Sequence, residues 1–172
     1  LTCLAEGEDP DGLPSFSYTW YNQSTGAILG QGDTLELTAD TASPKDLILC
    51  EALLEDEIGA SDVATSSLNV NNRPPQLLSV QLSETSSPTA NVLGCSGEAE
   101  DIDGDQLTSS YLWSFVGGGL IGNSAQLELD PTLVTPGDQL TCTVKVSDPY
   151  GGSSTLESDV VNIVNTPPTI DA

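Results

Sequence analysis

The sequence predicts an all-β protein built as two tandem antiparallel sandwiches. Three observations carry that prediction. Apolar residues alternate with polar ones: Leu140, Cys142, Val144 and Val146 on one side, Thr141, Thr143, Lys145 and Ser147 on the other. Ile48, Cys50, Ala52 and Leu54 repeat the pattern, and this period of two marks a half-buried strand. Turn signals such as Asp-Gly, Asn-Gln-Ser-Thr-Gly, Gly-Gly-Gly and Asp-Pro-Tyr-Gly recur about every ten residues. Finally, the chain repeats itself, and no convincing helical stripe interrupts either copy.

The repeat fixes the element order. Cys3 and Cys95 are 92 residues apart, as are Cys50 and Cys142, while Trp20 and Trp113 are 93 apart. Glu8-Asp9-Pro10-Asp11-Gly12 aligns with Glu100-Asp101-Ile102-Asp103-Gly104, Tyr18-Thr19-Trp20 with Tyr111-Leu112-Trp113, and Leu35-Glu36-Leu37 with Leu127-Glu128-Leu129. Asn71-Asn72-Arg73-Pro74-Pro75 aligns with Asn165-Thr166-Pro167-Pro168. In the second unit the pattern places strands near 76–83, 90–99, 108–116, 119–122, 125–130, 138–147 and 153–164. Each unit opens at its Pro-Pro step. Residues 1–72 therefore read as a first unit without its opening strand, 73–165 as a second, and 166–172 as a linker and the start of a third. On this reading the chain is a window of a longer array.

Composition excludes several functions. Of 172 residues, 26 are Asp or Glu and only 3 are Lys or Arg, giving a formal charge of −23. Phosphate backbones and anionic membranes repel such a surface, so neither nucleic acid nor direct membrane insertion is expected. The sequence has no His, which removes His-based triads, His acid–base catalysis and His-ligated metals. Hydrophobic residues still make up 37% of the chain, enough for small cores rather than a disordered acidic tail.

The cysteines lie 47 residues apart within each unit, far from the close pairs of a zinc site. A pair of reactive thiols is one reading. The structural reading is a Cys3–Cys50 and a Cys95–Cys142 bridge, with Trp20 and Trp113 as core residues packed on the sulfurs. Persistent disulfides point to an oxidising compartment, outside the cell or at its surface.

The Cys…Trp…Cys frame resembles an immunoglobulin-like fold. With Asp-x-Asp-Gly, Tyr-x-Trp, Leu-x-Cys-x-Val-x-Val-x-Asp and the closing Asn-Thr-Pro-Pro, the chain resembles tandem Ig-like, cadherin- or PKD-like repeats of large bacterial surface proteins. The resemblance implies two Ig-like sandwiches, each with a bridge between its strands B and F. It also implies a non-enzymatic stalk, spacer, fibre shaft or adhesive segment whose partners are neighbouring repeats. Ile48 and Leu140 stand where antibody domains carry their corner tyrosine, so no antibody-like role follows. The alternatives are a ligand- or carbohydrate-binding adhesin module and a spacer domain of a secreted hydrolase. The open edge of the first unit would also suit strand addition from another copy.

Carboxylates form the one constellation with chemistry: Glu98, Glu100, Asp101, Asp103 and Asp105, joined by Asp148. Oxygen-rich loops of this kind suit Ca²⁺, although the spacing is not that of an EF-hand. In an Ig-like sandwich the loops after strands B and F share an end with the entry of strand A. Asp101, Asp103, Asp105 and Asp148 would then gather near Asn72 at the junction with the first unit, as a structural Ca²⁺ site. The competing readings are plain solvated turns and an ion pair from Arg73 to a loop aspartate. Leu13 stands at the first unit's counterpart of Asp105 and weakens the constellation there. Paired carboxylates could also hydrolyse glycosides, but similar loops in both units at sandwich ends argue against an enzyme. Asn22-Gln23-Ser24 fits a glycosylation sequon in an accessible turn, and a plain turn without a glycan is the preferred reading.

Overall fold

The computed structural model describes residues 1–168 and residue 170. The described residues form thirteen strands and no helix. They fall into two compact units that divide between Asn72 and Arg73. The expected start of a third unit rests on Thr169, Asp171 and Ala172, which lie outside the described residues.

Unit 1 contains β1 (Ser15–Asn22), β2 (Ala27–Gln31), β3 (Leu47–Glu55) and β4 (Ser61–Asn69). They make one antiparallel sheet in the order β2-β1-β3-β4. The register sets Trp20 opposite Cys50 and Tyr18 opposite Ala52, so the inward residues of both strands share one face. A second layer is brought in by the bridge Thr2–Thr34 and by the Cys3 N–H donating to the Asp33 carbonyl at 2.8 Å. Cys3 is bonded to Cys50, with Cα atoms 6.4 Å apart. Around them Trp20 and Ile48 are buried, with Tyr18, Leu29, Leu35, Leu37 and Val70 packed against them.

Unit 2 contains β5 (Gln76–Leu82), β6 (Ser86–Pro88), β7 (Val92–Glu100), β8 (Thr108–Phe115), β9 (Leu120–Gly122), β10 (Gln126–Glu128), β11 (Gln139–Ser147), β12 (Ser153–Glu157) and β13 (Val161–Val164). One sheet runs β10-β7-β5. The facing sheet runs β6-β13-β11-β8-β9, with β12 also on β11. Cys95 of β7 and Cys142 of β11 join the two sheets, with Cα atoms 6.5 Å apart. Trp113 sits opposite Cys142 and is fully buried among Leu93, Leu140 and Val144. Its indole N–H donates to the Ser124 carbonyl at 3.0 Å, as that of Trp20 does to Gly32 at 2.9 Å. A buried indole thus keeps its hydrogen bond without a water. Two antiparallel layers, the bridge between them and a core tryptophan are the features of an Ig-like sandwich.

The structure corrects three expectations. The strand placed at 153–164 is two strands: β12 ends at Glu157, and β13 begins at Val161. The break is a local loop in which the Ser158 N–H donates to the Cys142 carbonyl at 2.8 Å and the Ser158 hydroxyl to the Asp159 carbonyl at 2.7 Å. The two units also differ in length here by one residue, since Ser61 and Ser153 are 92 apart but Pro74 and Pro167 are 93 apart. The second correction is β6, which pairs in parallel with β13 and was not expected. Its Ser-Ser-Pro sequence carries no alternation, and its edge position tolerates the proline. The third concerns Asn22, which is 1% exposed. Its amide donates to Asp46 Oδ2 at 2.7 Å, and its carbonyl oxygen accepts from the N–H groups of Ser24 and Thr25 at 3.0 and 3.2 Å. The sequon asparagine is therefore a buried turn anchor and not an accessible one. The Ser43 N–H, the Asn22 amide and the Ser24 hydroxyl together hold the Asp46 carboxyl below the usual carboxylate range.

Candidate metal centre

The acidic cluster is made by two loops of unit 2. The first follows β7. Asp101 Oδ1 accepts the N–H of Asp103 at 2.8 Å, and the Gly104 N–H closes the turn on the Asp101 carbonyl at 3.2 Å. Gly104 takes φ 78°, a conformation glycine adopts without steric cost. The second loop follows β11. Asp148 Oδ1 accepts from the N–H groups of Tyr150 and Gly152 at 2.8 and 2.9 Å, which leaves Asp148 only 8% exposed.

Carboxylate oxygens of Asp101, Asp103 and Asp105 lie within 4.8 Å of one another. Asp101 Oδ2 and Asp105 Oδ2 are buried and have no hydrogen-bond partner. Burial raises the pKa of Asp105, and the charges of Asp101, Asp103 and Asp148 raise it further. The loops therefore turn one oxygen each of Asp101 and Asp105 away from water, and neighbouring negative charge opposes ionisation of Asp105. A hard cation with oxygen ligands answers both costs, and Ca²⁺ takes six to eight such ligands. Asp101 and Asp105 fit that role as ligands through those buried oxygens, and Asp148 adds negative charge beside Asp105.

Asp103 already has a cation. Arg73 Nε donates to its Oδ1 at 2.7 Å, Arg73 Nη2 approaches the same oxygen at 2.7 Å, and the Arg73 N–H donates to Oδ2 at 2.7 Å. This ion pair is one of the readings that the sequence left open. It leaves Asp101 and Asp105 as the carboxylates whose buried oxygens lack a partner. Asn72 closes unit 1, whereas the four aspartates belong to unit 2. Glu98 and Glu100 are exposed on β7, on the face away from Cys95 and Ala99, and stand apart from the cluster.

Unit 1 keeps the scaffold without the third carboxylate. Asp9 Oδ1 accepts the Asp11 N–H at 2.9 Å, and Asp56 Oδ1 accepts from Ile58 and Ala60 at 2.9 and 2.8 Å. Leu13, at the place of Asp105, is exposed. The same turn chemistry thus recurs with a different charge, so the turns alone do not account for Asp105. What the sequence did not reveal is the burial of single oxygens on Asp101 and Asp105. That depends on how the two loops meet.

No protein-family model matches the sequence, and no curated protein sequence matches it. Among solved structures the chain is similar to the amphioxus IgVJ-C2 molecule, with 12% sequence identity over 95% of this chain and 94% of that one, at a TM-score of 0.49. The two disulfides are those of an oxidising, extracellular environment. Among the described residues no helix is long and apolar enough to cross a membrane.

Proposed function

We propose that this chain is a non-enzymatic spacer segment of a secreted or surface-anchored protein, in which unit 2 is stiffened by a structural Ca²⁺. The observation that supports the reading best is that each compact unit closes its own disulfide, within the unit and never across. A segment built this way adds reach unit by unit and resists unravelling. Its formal charge of −23 keeps neighbouring copies soluble and apart. A bound cation would supply electrostatic neutralisation at the loops after β7 and β11. Asp101 and Asp105 would direct their buried oxygens at it, while Arg73 holds Asp103 in place.

The carbohydrate-binding alternative has little to present. Both tryptophans are buried, and their indole N–H groups are used internally. The half-buried Tyr150 offers its backbone N–H to Asp148.

Mechanical pulling from the two chain ends tests the spacer reading. Each unit is expected to yield in its own event, releasing only residues outside its 47-residue Cys–Cys span. A reductant lengthens both releases. A single event for the whole chain, or release lengths indifferent to reductant, contradicts a stapled spacer.

A further inference from the structure

We infer that unit 1 carries an acceptor edge along Cys3–Glu8 for one more strand, and that its partner is an uncharged extended segment of β5 type, pairing antiparallel. Unit 2 supplies the template. There β7 is shared between two neighbours: Val92–Gly94 pairs with β10, and Cys95–Glu100 pairs with β5. Unit 1 reproduces the first half closely. Thr2 pairs with Thr34 as Gly94 pairs with Gln126. The Cys3 N–H donates to the Asp33 carbonyl at 2.8 Å, as that of Cys95 does to Ala125 at 2.8 Å. The second half differs. Leu4–Glu8, the counterpart of Ser96–Glu100, lies in no strand and has no strand neighbour among the described residues.

The packing shows the same difference. In unit 2 Val146 is 1% exposed, and β5 places Leu77, Val80 and Leu82 into the core. Leu54 of unit 1 holds the position of Val146 and is only half-buried, while Phe16 beside it is 37% exposed. β4 is exposed along its whole length. Its counterpart β12 is also mostly exposed, but its half-buried Ser154 meets β5, where the Ser154 hydroxyl accepts the Leu77 N–H at 3.3 Å.

Side-chain sizes along the edge point to the same occupant. A Cβ on Gly97 would come within 2.9 Å of Val144 and 3.0 Å of Leu77, so glycine lets that leucine reach the core. Unit 1 has Ala5 and Ala52 at the places of Gly97 and Val144. That exchange moves one side chain's volume across the gap and leaves room for an incoming apolar group. Gly7 lies against Leu54, where a Cβ would come within 2.7 Å of its Cδ2. The edge carries Glu6 and Glu8, so an acidic donor would be repelled, whereas Gln76–Leu82 is uncharged and apolar at the inward positions.

The probe is a synthetic peptide spanning residues 74–83, with blocked ends and no charged residue, added to the whole chain. Binding is expected to raise the unfolding temperature of unit 1 alone, read through Trp20. It is also expected to slow hydrogen exchange at the backbone amides of Leu4–Glu8. A peptide with Leu77→Asp and Val80→Asp should lose at least tenfold in affinity. No binding at millimolar peptide, protection confined to β4, or equal affinity of the substituted peptide each overturns the inference. A failure here leaves the spacer reading untouched, because that reading rests on the disulfides.

Discussion

Asp105→Asn raises the melting temperature of unit 2 in chelator and lowers it, relative to the wild type, in calcium. The sign change follows from the cluster. Burial and the charges of Asp101, Asp103 and Asp148 raise the pKa of Asp105 in the folded state. For a carboxyl raised in this way, the folded state gains below the unfolded pKa and loses that gain as pH rises through the folded value. At neutral pH and without a cation, ionised Asp105 therefore opposes folding, and an isosteric amide removes the charge. Mild acidification stabilises the wild type in chelator for the same reason, and Asp105→Asn lacks that component. With calcium the balance reverses. An ion bound only by the folded state at a hundredfold excess over its Kd adds about 2.7 kcal/mol. For a domain of this size that is on the order of 10 °C in Tm. The variant forfeits most of that shift. The complementary gain-of-site change is Leu13→Asp in unit 1, where Asp9 and Asp56 already hold matching turns. Scanning calorimetry in chelator and in calcium reads all of these outcomes. A variant that melts below the wild type in both conditions contradicts the metal centre.

The second large effect comes from the bridges. Each closes a separation of 47 residues, and in the chain-entropy model such a loop stabilises by about 4 kcal/mol. That is a large share of the stability of a small domain. The two units should respond differently, because their cores differ. Unit 2 retains Leu93, Trp113, Leu140, Val144, Val146 and Val161 in a buried cluster when its bridge is removed. In unit 1 the buried cluster is Cys3, Trp20, Ile48 and Cys50, half of which is the bridge itself. Cys3→Ala with Cys50→Ala is therefore expected to unfold unit 1 at 25 °C, with Trp20 emission moving to that of a solvated indole. Cys95→Ala with Cys142→Ala leaves unit 2 folded but easier to melt by about 4 kcal/mol. Denaturant titration followed by tryptophan emission measures both. A loss below about 1 kcal/mol in either unit contradicts the stapled-core account.

What the sequence reveals and what it hides follow from the range of the interactions. β3 and β11 are legible because each sends alternate residues into its core, Ile48, Cys50 and Ala52 in one and Leu140, Cys142, Val144 and Val146 in the other. β4 is the opposite case: it is paired along its length to β3 yet exposed throughout, so its sequence records no inside. The break between β12 and β13 is hidden because both pieces keep strand-type residues on either side of a short loop. The role of Asn22 is hidden because its partner Asp46 lies 24 residues away, while the sequon describes only the local turn. The Arg73–Asp103 pair, 30 residues apart, was open to simple charge reasoning, since a chain with 3 Lys or Arg against 26 Asp or Glu has few ways to neutralise a cluster. Which carboxylate oxygens would be buried depends on two loops meeting in space, and no periodicity records that.

The most direct measurement of the central claim is scanning calorimetry of the intact, oxidised chain. Two separately folded units predict two resolved transitions, each with a calorimetric enthalpy equal to its van't Hoff enthalpy. The transition reported by Trp20 should come first and that reported by Trp113 second. One merged two-state transition, reported identically by both tryptophans, would contradict it.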